Sequence, residues 1–468
     1  MPEPLWTSDE ILAATGGLLM GRRFEATGVS IDTRTLEPGD LFVALKGERD
    51  GHAFARGAFE KGAAGALASQ PVDGPHIEVE DTLIGLERLG LAARERSRAI
   101  RGAVTGSVGK TSVTQAIKAA LELAGPAHGS VKSYNNQIGV ALTLARMPKA
   151  ARRAVFEIGM NHAGEIEPLS QQVRPHAVAI TTVGPVHTEN FADGEAGVAR
   201  AKAEIFSGLI PGGPAVLNAD DRWFELLAGL ARSAGARVES FGSHEGCAAR
   251  LEAFEPHAGG AVVRARLRGN DIDFTIAQSG LHWGLNSLCV LLMLEALEVD
   301  LDTALKALAG FAPLEGRGRE RQVRLADGAF TLIDESYNAN PISMRAAIAT
   351  LGARAAPGRR IAVLTDMLEL GPDAPDRHAE LAEPLASAKA DLVFCAGPLM
   401  KRLWDALPAA RRAGYAQTAK DLTGEVLEAV RPGDVVMVKG SNGSKAGVIA
   451  AALAGLDGPD AAGARGAA

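Results

Sequence analysis

Thr105-Gly106-Ser107-Val108-Gly109-Lys110-Thr111-Ser112 is the stretch that decides how this chain folds. The apolar run Gly102-Ala103-Val104 leads into it, and Val113, Ile117, Ala120, Leu121 and Ala124 follow at helical spacing. A strand, a glycine-bearing loop and a helix in that order form a phosphate cradle, built from backbone N–H groups and a helix N-terminus. Lys110 is placed to reach terminal phosphates and Thr111 to offer its hydroxyl to Mg²⁺, so Thr105 to Ser112 are expected to bind ATP or GTP. The strict G-x-x-x-x-G-K-[ST] spacing fails only at its first glycine, where Val104 stands.

Working outward, buried-strand runs recur at Ala154-Val155-Phe156, Ala177-Val178-Ala179-Ile180 and Ala215-Val216-Leu217, with helical patterns between them. That alternation predicts a mainly parallel α/β sheet. Ala261 to Ile276 alternates in polarity about Arg268-Gly269-Asn270-Asp271, a hairpin pattern, and a helix is expected from His282 to Glu298. Toward the N-terminus, strands are expected at Val29–Ile31, Asp40–Leu45 and Gly65–Ala68, with helices over 53–62 and 83–98. Arg94, Glu95, Arg96 and Arg98 read as a solvated face of the second helix. Beyond residue 320 a second βα series begins, with strands at Phe330–Ile333, Ile361–Leu364, Leu392–Phe394 and Val435–Val438. The expected organisation is α/β in three domains, 1–100, 101–320 and 321–468, ending in a frayed Gly/Ala-rich tail over 458–468.

The size agrees, since 468 residues at roughly 150 per domain suggest about three. With 47% apolar and 22% charged residues the chain is globular rather than disordered. Its 49 basic and 56 acidic residues give a net charge of −7, which argues against nucleic acid or an anionic membrane as partner. A local basic pocket for an anionic small molecule is compatible with that balance. Cys247, Cys289 and Cys395 are scattered without CxxC spacing, which suits a reducing compartment. No signal-like leader opens the chain, and the longest apolar stretch, 281–297, is interrupted by polar residues. A cytoplasmic protein without membrane insertion is expected.

Glu157 ends one expected strand and His187 lies just past another, where ligands of parallel sheets gather. Both could face phosphates and Mg²⁺, or be an ordinary strand-end glutamate and loop histidine. Lys202 is less ordinary. The helix expected over 195–209 carries the apolar stripe Val198, Ala201, Ile205 and Leu209, and Lys202 stands inside it. Such a lysine either snorkels to water or has a buried partner.

The phosphate loop resembles that of the Mur ligases, which use T-G-S/T-x-G-K-T/S, and the likeness extends over nearly the whole chain. It is carried by Tyr134-Asn135-Asn136-Gln137-Ile138-Gly139, Glu157 to Ile166, Gly184 to Phe191 and Ala201 to Phe206. Asp334-Glu335-Ser336-Tyr337-Asn338-Ala339-Asn340-Pro341 and Val438-Lys439-Gly440-Ser441 continue it. The resemblance implies an N-terminal UDP-sugar domain, a central ATPase domain and a C-terminal Rossmann-like domain. It implies that Lys202 carries a carbamate and joins Thr111, Glu157 and His187 around Mg²⁺. Lys110, Glu157, His187 and Lys202 would be catalytic. Asn286, Arg317 and Asp334 would contact the nucleotide, and Ser30, Thr33, Arg34, Asn135 and Asn136 the UDP-sugar peptide. Departures from the family pattern are Thr365 at the glycine of G-D-M-x-E-L-G, Trp283 at the asparagine of H-N, and Asn442 after K-G-S.

The implied reaction is ATP-dependent amide formation through an acyl phosphate. The Tyr134–Gly139 and Asp334–Pro341 motifs favour the branch that adds D-alanyl-D-alanine to UDP-N-acetylmuramoyl-tripeptide, with the enzyme acting as a monomer. A sister ligase adding the third amino acid, a folate polyglutamate ligase and a nucleotide-gated binding module are the competing readings.

Overall fold

In the computed structural model the strand Ile100–Thr105 lies inside a nine-stranded sheet, third from one edge, with Arg153–Glu157 on one side and Ala177–Ile180 on the other, both parallel to it. Residues 3–131, 133–257 and 259–457 are described; the tail expected to fray lies outside them. Across the sheet the order is Asn270–Ile276, Gly260–Leu267, Ala249–His257, Arg237–Gly242, Pro214–Asn218, Ala177–Ile180, Ile100–Thr105, Arg153–Glu157 and Ala127–Gly129. The last seven run parallel, and the first two extend the sheet as an antiparallel meander. Chain order reverses direction at Ile100–Thr105, so its carboxyl end opens on a crevice between diverging connections.

The sheet is buried on both faces. The helices Lys110–Leu123, Trp283–Ala296 and Leu301–Gly310 cover one, packing Val113, Ile117, Leu288 and Met293 on Val104 and Val216. On the other face Val140, Leu144, Ile166, Leu169 and Leu227 surround Phe156, Val178 and Leu217. Strands sandwiched this way read as unbroken apolar runs, which is why they were visible in the sequence.

A five-stranded sheet ordered Leu18–Met20, His76–Glu78, Gly65–Ala68, Asp40–Val43 and Gly28–Ser30 forms the N-terminal unit, parallel but for its first pair. Its core is continuous with Ala141, Leu142 and Ala145 of the helix Gln137–Ala145, so the two units share one apolar seam. The helix Thr82–Arg96 buries Leu86, Leu89 and Ala93 as expected, but its basic residues need a correction. Arg94 donates to the carbonyls of Gln171 and Gln172, and the Arg96 guanidinium lies 3.5 Å from the Trp6 ring centroid and donates to the Leu5 carbonyl. Arg94 and Arg96 therefore bracket neighbouring elements rather than forming a solvated face. Long side chains can bury their stems and spend their donors on carbonyls, a choice that spacing along one helix does not reveal.

Residues 319–439 form a six-stranded sheet ordered Arg319–Leu325, Gly328–Glu335, Val435–Lys439, Arg360–Thr365, Leu392–Ala396 and Arg412–Ala416, all parallel except the first strand. Its carboxyl edge faces that of the central sheet. The α/β class with mainly parallel sheets is as expected. The helix expected over 195–209 stops at Ala203 and tightens to a 3₁₀ turn over Glu204–Gly208.

Candidate active site

The phosphate loop takes its shape from glycines and from Thr181. Gly106 has φ 149°, and a Cβ there would stand 2.0 Å from the Thr181 hydroxyl, which donates to the Val108 carbonyl at 2.5 Å. No side chain fits between them. Ser107 N donates to the Thr182 carbonyl at 2.6 Å, and Ser107 Oγ and Gly184 N are hydrogen-bonded at 3.0 Å. The loop is thus tied to the segment after the neighbouring strand before any nucleotide arrives. Lys110 opens the helix Lys110–Leu123 and folds back, its Nζ donating to the Gly106 carbonyl at 2.5 Å. Burial lowers its pKa, the Glu157 carboxylate pulls it back up, and Arg317 lowers it further.

Glu157 ends its strand fully buried. Its Oε1 accepts from Asn135 Nδ2 at 2.7 Å, while Oε2 is buried with no partner among the described residues. A buried carboxylate oxygen left unpaired is costly and points to a missing cation or donor. His187 follows the third strand with left-handed backbone, φ 54°, and its Nδ1 lies 2.9 Å from Glu369 Oε2. Burial pushes its pKa down, Glu369 and Glu189 pull it up, and Lys110 and Lys202 push it further down.

Lys202 resolves neither way that spacing offered. It is 2% exposed, so it does not snorkel, and no hydrogen bond or ion pair engages it among the described residues. Burial drives its pKa well below the ordinary lysine value, and the Lys110 charge adds to the shift. That shift favours the neutral, nucleophilic form of the amine.

Lys110, Glu157 and His187 border one cleft of about 350 Å³ between the central and C-terminal sheets, within the range of small-molecule sites, and Lys202 lies off its lining. Ser107 to Ser112, Asn135, Glu157, His187 and Asn286 line it from the central side, and Arg317, Glu335 and Lys439 from the other. Asn286 packs beside Gly109, and Arg317 stacks on Tyr337, 4.1 Å from its ring centroid. Lys439 is buried, donating to the Asn338 carbonyl at 2.9 Å and lying 3.4 Å from Glu335. Lys110, Arg317 and Lys439 against Glu157 and Glu335 give the cleft lining a basic balance, although the chain is net acidic.

Several expected contacts lie elsewhere. Thr105 and Gly106 support the loop from behind. Asp334 is off the lining, its Oδ1 accepting from Ser336 N, and the adjacent Glu335 faces the cleft instead. Asn136 caps the helix Gln137–Ala145 by accepting from Gly139 N at 2.9 Å. Ser30, Thr33 and Arg34 sit together at the end of the strand Gly28–Ser30 in the N-terminal unit, where Ser30 Oγ donates to the Asp32 carbonyl and Arg34 pairs with Asp32. None of these three lines the cleft. Of the departures, Trp283 turns into the core against Phe311. Thr365 fills the space over Gly440 and hydrogen-bonds Ser444 at 2.6 Å. The pairs His187–Glu369, Tyr337–Ser133 (2.6 Å) and Glu335–Lys439 were not foreseen, although every member except Ser133 lies in a quoted motif.

Among the described residues no three His, Cys, Asp or Glu side chains are grouped closely enough to hold a metal by themselves. The donors present fit Mg²⁺ in another way, since it prefers one or two carboxylates with phosphate oxygens and water, and Glu157 Oε2 is free for it.

Three family models match: Mur ligase family, catalytic domain, over residues 25–98; Mur ligase middle domain over 104–294; and Mur ligase, glutamate ligase domain over 318–442. The UDP-N-acetylmuramoyl-tripeptide–D-alanyl-D-alanine ligase of Bacillus subtilis is 33% identical, with 94% of this chain and 96% of that one covered. The ligase of the same name from Escherichia coli K12 is 35% identical over 84% and 86%. A crystal structure of MurF from Acinetobacter baumannii superposes with TM-score 0.84 at 28% identity, covering 97% of this chain and 99% of that one. A MurF ligase from Thermotoga maritima in complex with ADP shares the fold at TM-score 0.75 and 22% identity, over 92% and 97%. Among the described residues no helix is long and apolar enough to cross a membrane. The phosphate loop, the strand-end Glu157 and the buried Lys202 thus occur in a chain that matches these models from residue 25 to 442, and the chain belongs to the Mur ligase family.

Proposed function

We propose that this chain adds D-alanyl-D-alanine to UDP-N-acetylmuramoyl-tripeptide at the expense of ATP, in cytoplasmic peptidoglycan precursor synthesis, as a monomer. The reading is carried by the convergence of Lys110, Glu157 and His187 at the carboxyl ends of three adjacent strands, with Lys202 buried behind them. The choice of substrates is supported by the relatives named for that reaction. Residues 1–100 would hold the UDP-sugar through Ser30, Thr33 and Arg34, residues 101–320 ATP, and residues 321–468 would bring the dipeptide.

Backbone N–H groups of the loop orient the phosphates and Lys110 offsets their charge, because the protein's work in phosphoryl transfer is positioning and electrostatics. Asn286 would meet the adenine side of the nucleotide, and the stacked Arg317 its phosphates. An oxygen of the tripeptide's terminal carboxylate attacks the γ-phosphorus, the bond to the bridging oxygen breaks, and ADP leaves. The dipeptide amine then adds to the acyl carbon. The tetrahedral species collapses with loss of phosphate, and the amine proton passes to solvent. Closure of the C-terminal unit over the cleft keeps water from the acyl phosphate.

Glu157, His187 and Thr111 would hold Mg²⁺ together with phosphate oxygens. Bound there, the ion supplies charge neutralisation at the transferring phosphoryl group. Lys202 joins them after its neutral amine adds to CO₂ and releases a proton, which exchanges an unpaired base for an anionic carbamate. Phosphate release with tripeptide and ATP, compared across D-alanyl-D-alanine and single amino acids, tests the reading. Stimulation by the dipeptide is expected; stimulation by a single amino acid and not by the dipeptide overturns it.

A further inference from the structure

The central and C-terminal units meet across the cleft at a polar contact for which the chemistry above has no use. Glu369, on the loop after the strand Arg360–Thr365, places Oε2 2.9 Å from His187 Nδ1. Both residues have left-handed backbone, φ 62° and φ 54°. That conformation is uncommon outside glycine and persists where the surroundings enforce it, often at functional sites.

The surroundings of Glu369 do enforce it. The Asp366 carboxylate accepts from Met400 N at 2.8 Å, Met367 N donates to His378 Nε2 at 2.9 Å, and Leu368 N donates to Ser441 Oγ at 3.0 Å. At the far end Gly371, φ 62°, lies so close to Glu189 that an added Cβ would stand 3.2 Å from the Glu189 Cβ. The loop is therefore fixed on its own sheet and seated on the turn that carries His187. An exposed ion pair alone is worth about 0–1 kcal/mol, and Glu369 is 61% exposed, so stability gives little reason for two strained residues to meet here.

Orientation gives a better one. A histidine that offers one ring nitrogen to a cation commonly donates the other N–H to a carboxylate, which fixes its tautomer and the direction of the ring. Here that carboxylate comes from the opposite wall of the cleft. We propose that Glu369 is a positioning residue, through which seating of the C-terminal unit sets the tautomer and ring direction of His187 for the ATP step. The proposal rests on the ligase reading above.

Two readouts test it. Glu369→Ala is expected to lower kcat about tenfold or more with KM for ATP within about twofold. In the complex with ADP and UDP-tripeptide, it is expected to weaken Mn²⁺ binding about tenfold by electron paramagnetic resonance. Glu369→Gln keeps an acceptor oxygen and should recover part of both losses. An Ala variant with wild-type kcat and Mn²⁺ affinity, or with a loss confined to KM for ATP, overturns the proposal. The Mn²⁺ measurement needs no turnover, and turnover by wild type tests the ligase reading separately, so the two failures are distinguishable.

Discussion

Replacing Lys202 by methionine should stabilise this enzyme while destroying its activity. The side chain is 2% exposed among Val198, Ala201 and Ile205 and has no partner among the described residues. Leaving a nearly buried amine without a protein hydrogen-bond partner costs up to about 1–3 kcal/mol. Methionine follows the lysine stem to Cε, one atom short of Nζ, and has no donor to satisfy, so Lys202→Met should return about that amount in CO₂-free buffer. For a unit of this size 1 kcal/mol moves the midpoint roughly 2–4 °C, which puts the expected rise at about 2–12 °C. The assay is a thermal scan of wild type and variant with and without bicarbonate, beside phosphate release. Wild type should gain stability from bicarbonate and the variant should not. Lys202→Ala should be nearly inactive, and short carboxylic acids that replace the carbamate should partly rescue it. A methionine variant that melts below wild type in CO₂-free buffer would refute the reasoning, because it would show that the unmodified amine is well accommodated.

Gly106→Ala should abolish nucleotide binding, since its Cβ would stand 2.0 Å from the Thr181 hydroxyl; calorimetric titration with ADP checks this, and wild-type affinity would contradict it. His128, held by the Thr143 carbonyl at 2.6 Å, has its pKa pushed down to about 4, chiefly by burial. A histidine pKa lowered on folding means stability is complete above the unfolded value of about 6.5 and is lost as pH falls toward 4. The loss should reach roughly 3 kcal/mol. Denaturant titrations at pH 7.5 and 4.5 should show that loss in wild type and a smaller one in His128→Asn; equal losses would contradict the assignment.

Much of this molecule could be read from its sequence, for identifiable reasons. Strands buried on both faces had to be apolar runs, and a loop bound to phosphate had to carry glycines, so the core of the central sheet was legible. Lys202 announced itself by interrupting an apolar stripe. Polar or short strands such as Ala127–Gly129, Arg237–Gly242 and Arg319–Leu325 gave no such signal. Asp334 and Glu335 are neighbours at a strand end, and alternation along a strand sends adjacent side chains to opposite faces. Only the pairing with Val435–Lys439 decides which of them meets the cleft. The contact between His187 and Glu369 depends on how two separately folded sheets face each other, and no local pattern encodes it.

Phosphoryl transfer to the tripeptide carboxylate is the central claim, and oxygen tracing tests it most directly. The UDP-tripeptide is prepared with both oxygens of its terminal carboxylate as ¹⁸O and turned over with ATP and D-alanyl-D-alanine, and the released phosphate is weighed by mass spectrometry. Attack of that carboxylate on the γ-phosphorus predicts a single ¹⁸O atom in every phosphate formed. Phosphate free of ¹⁸O, released in step with the amide product, would contradict the account.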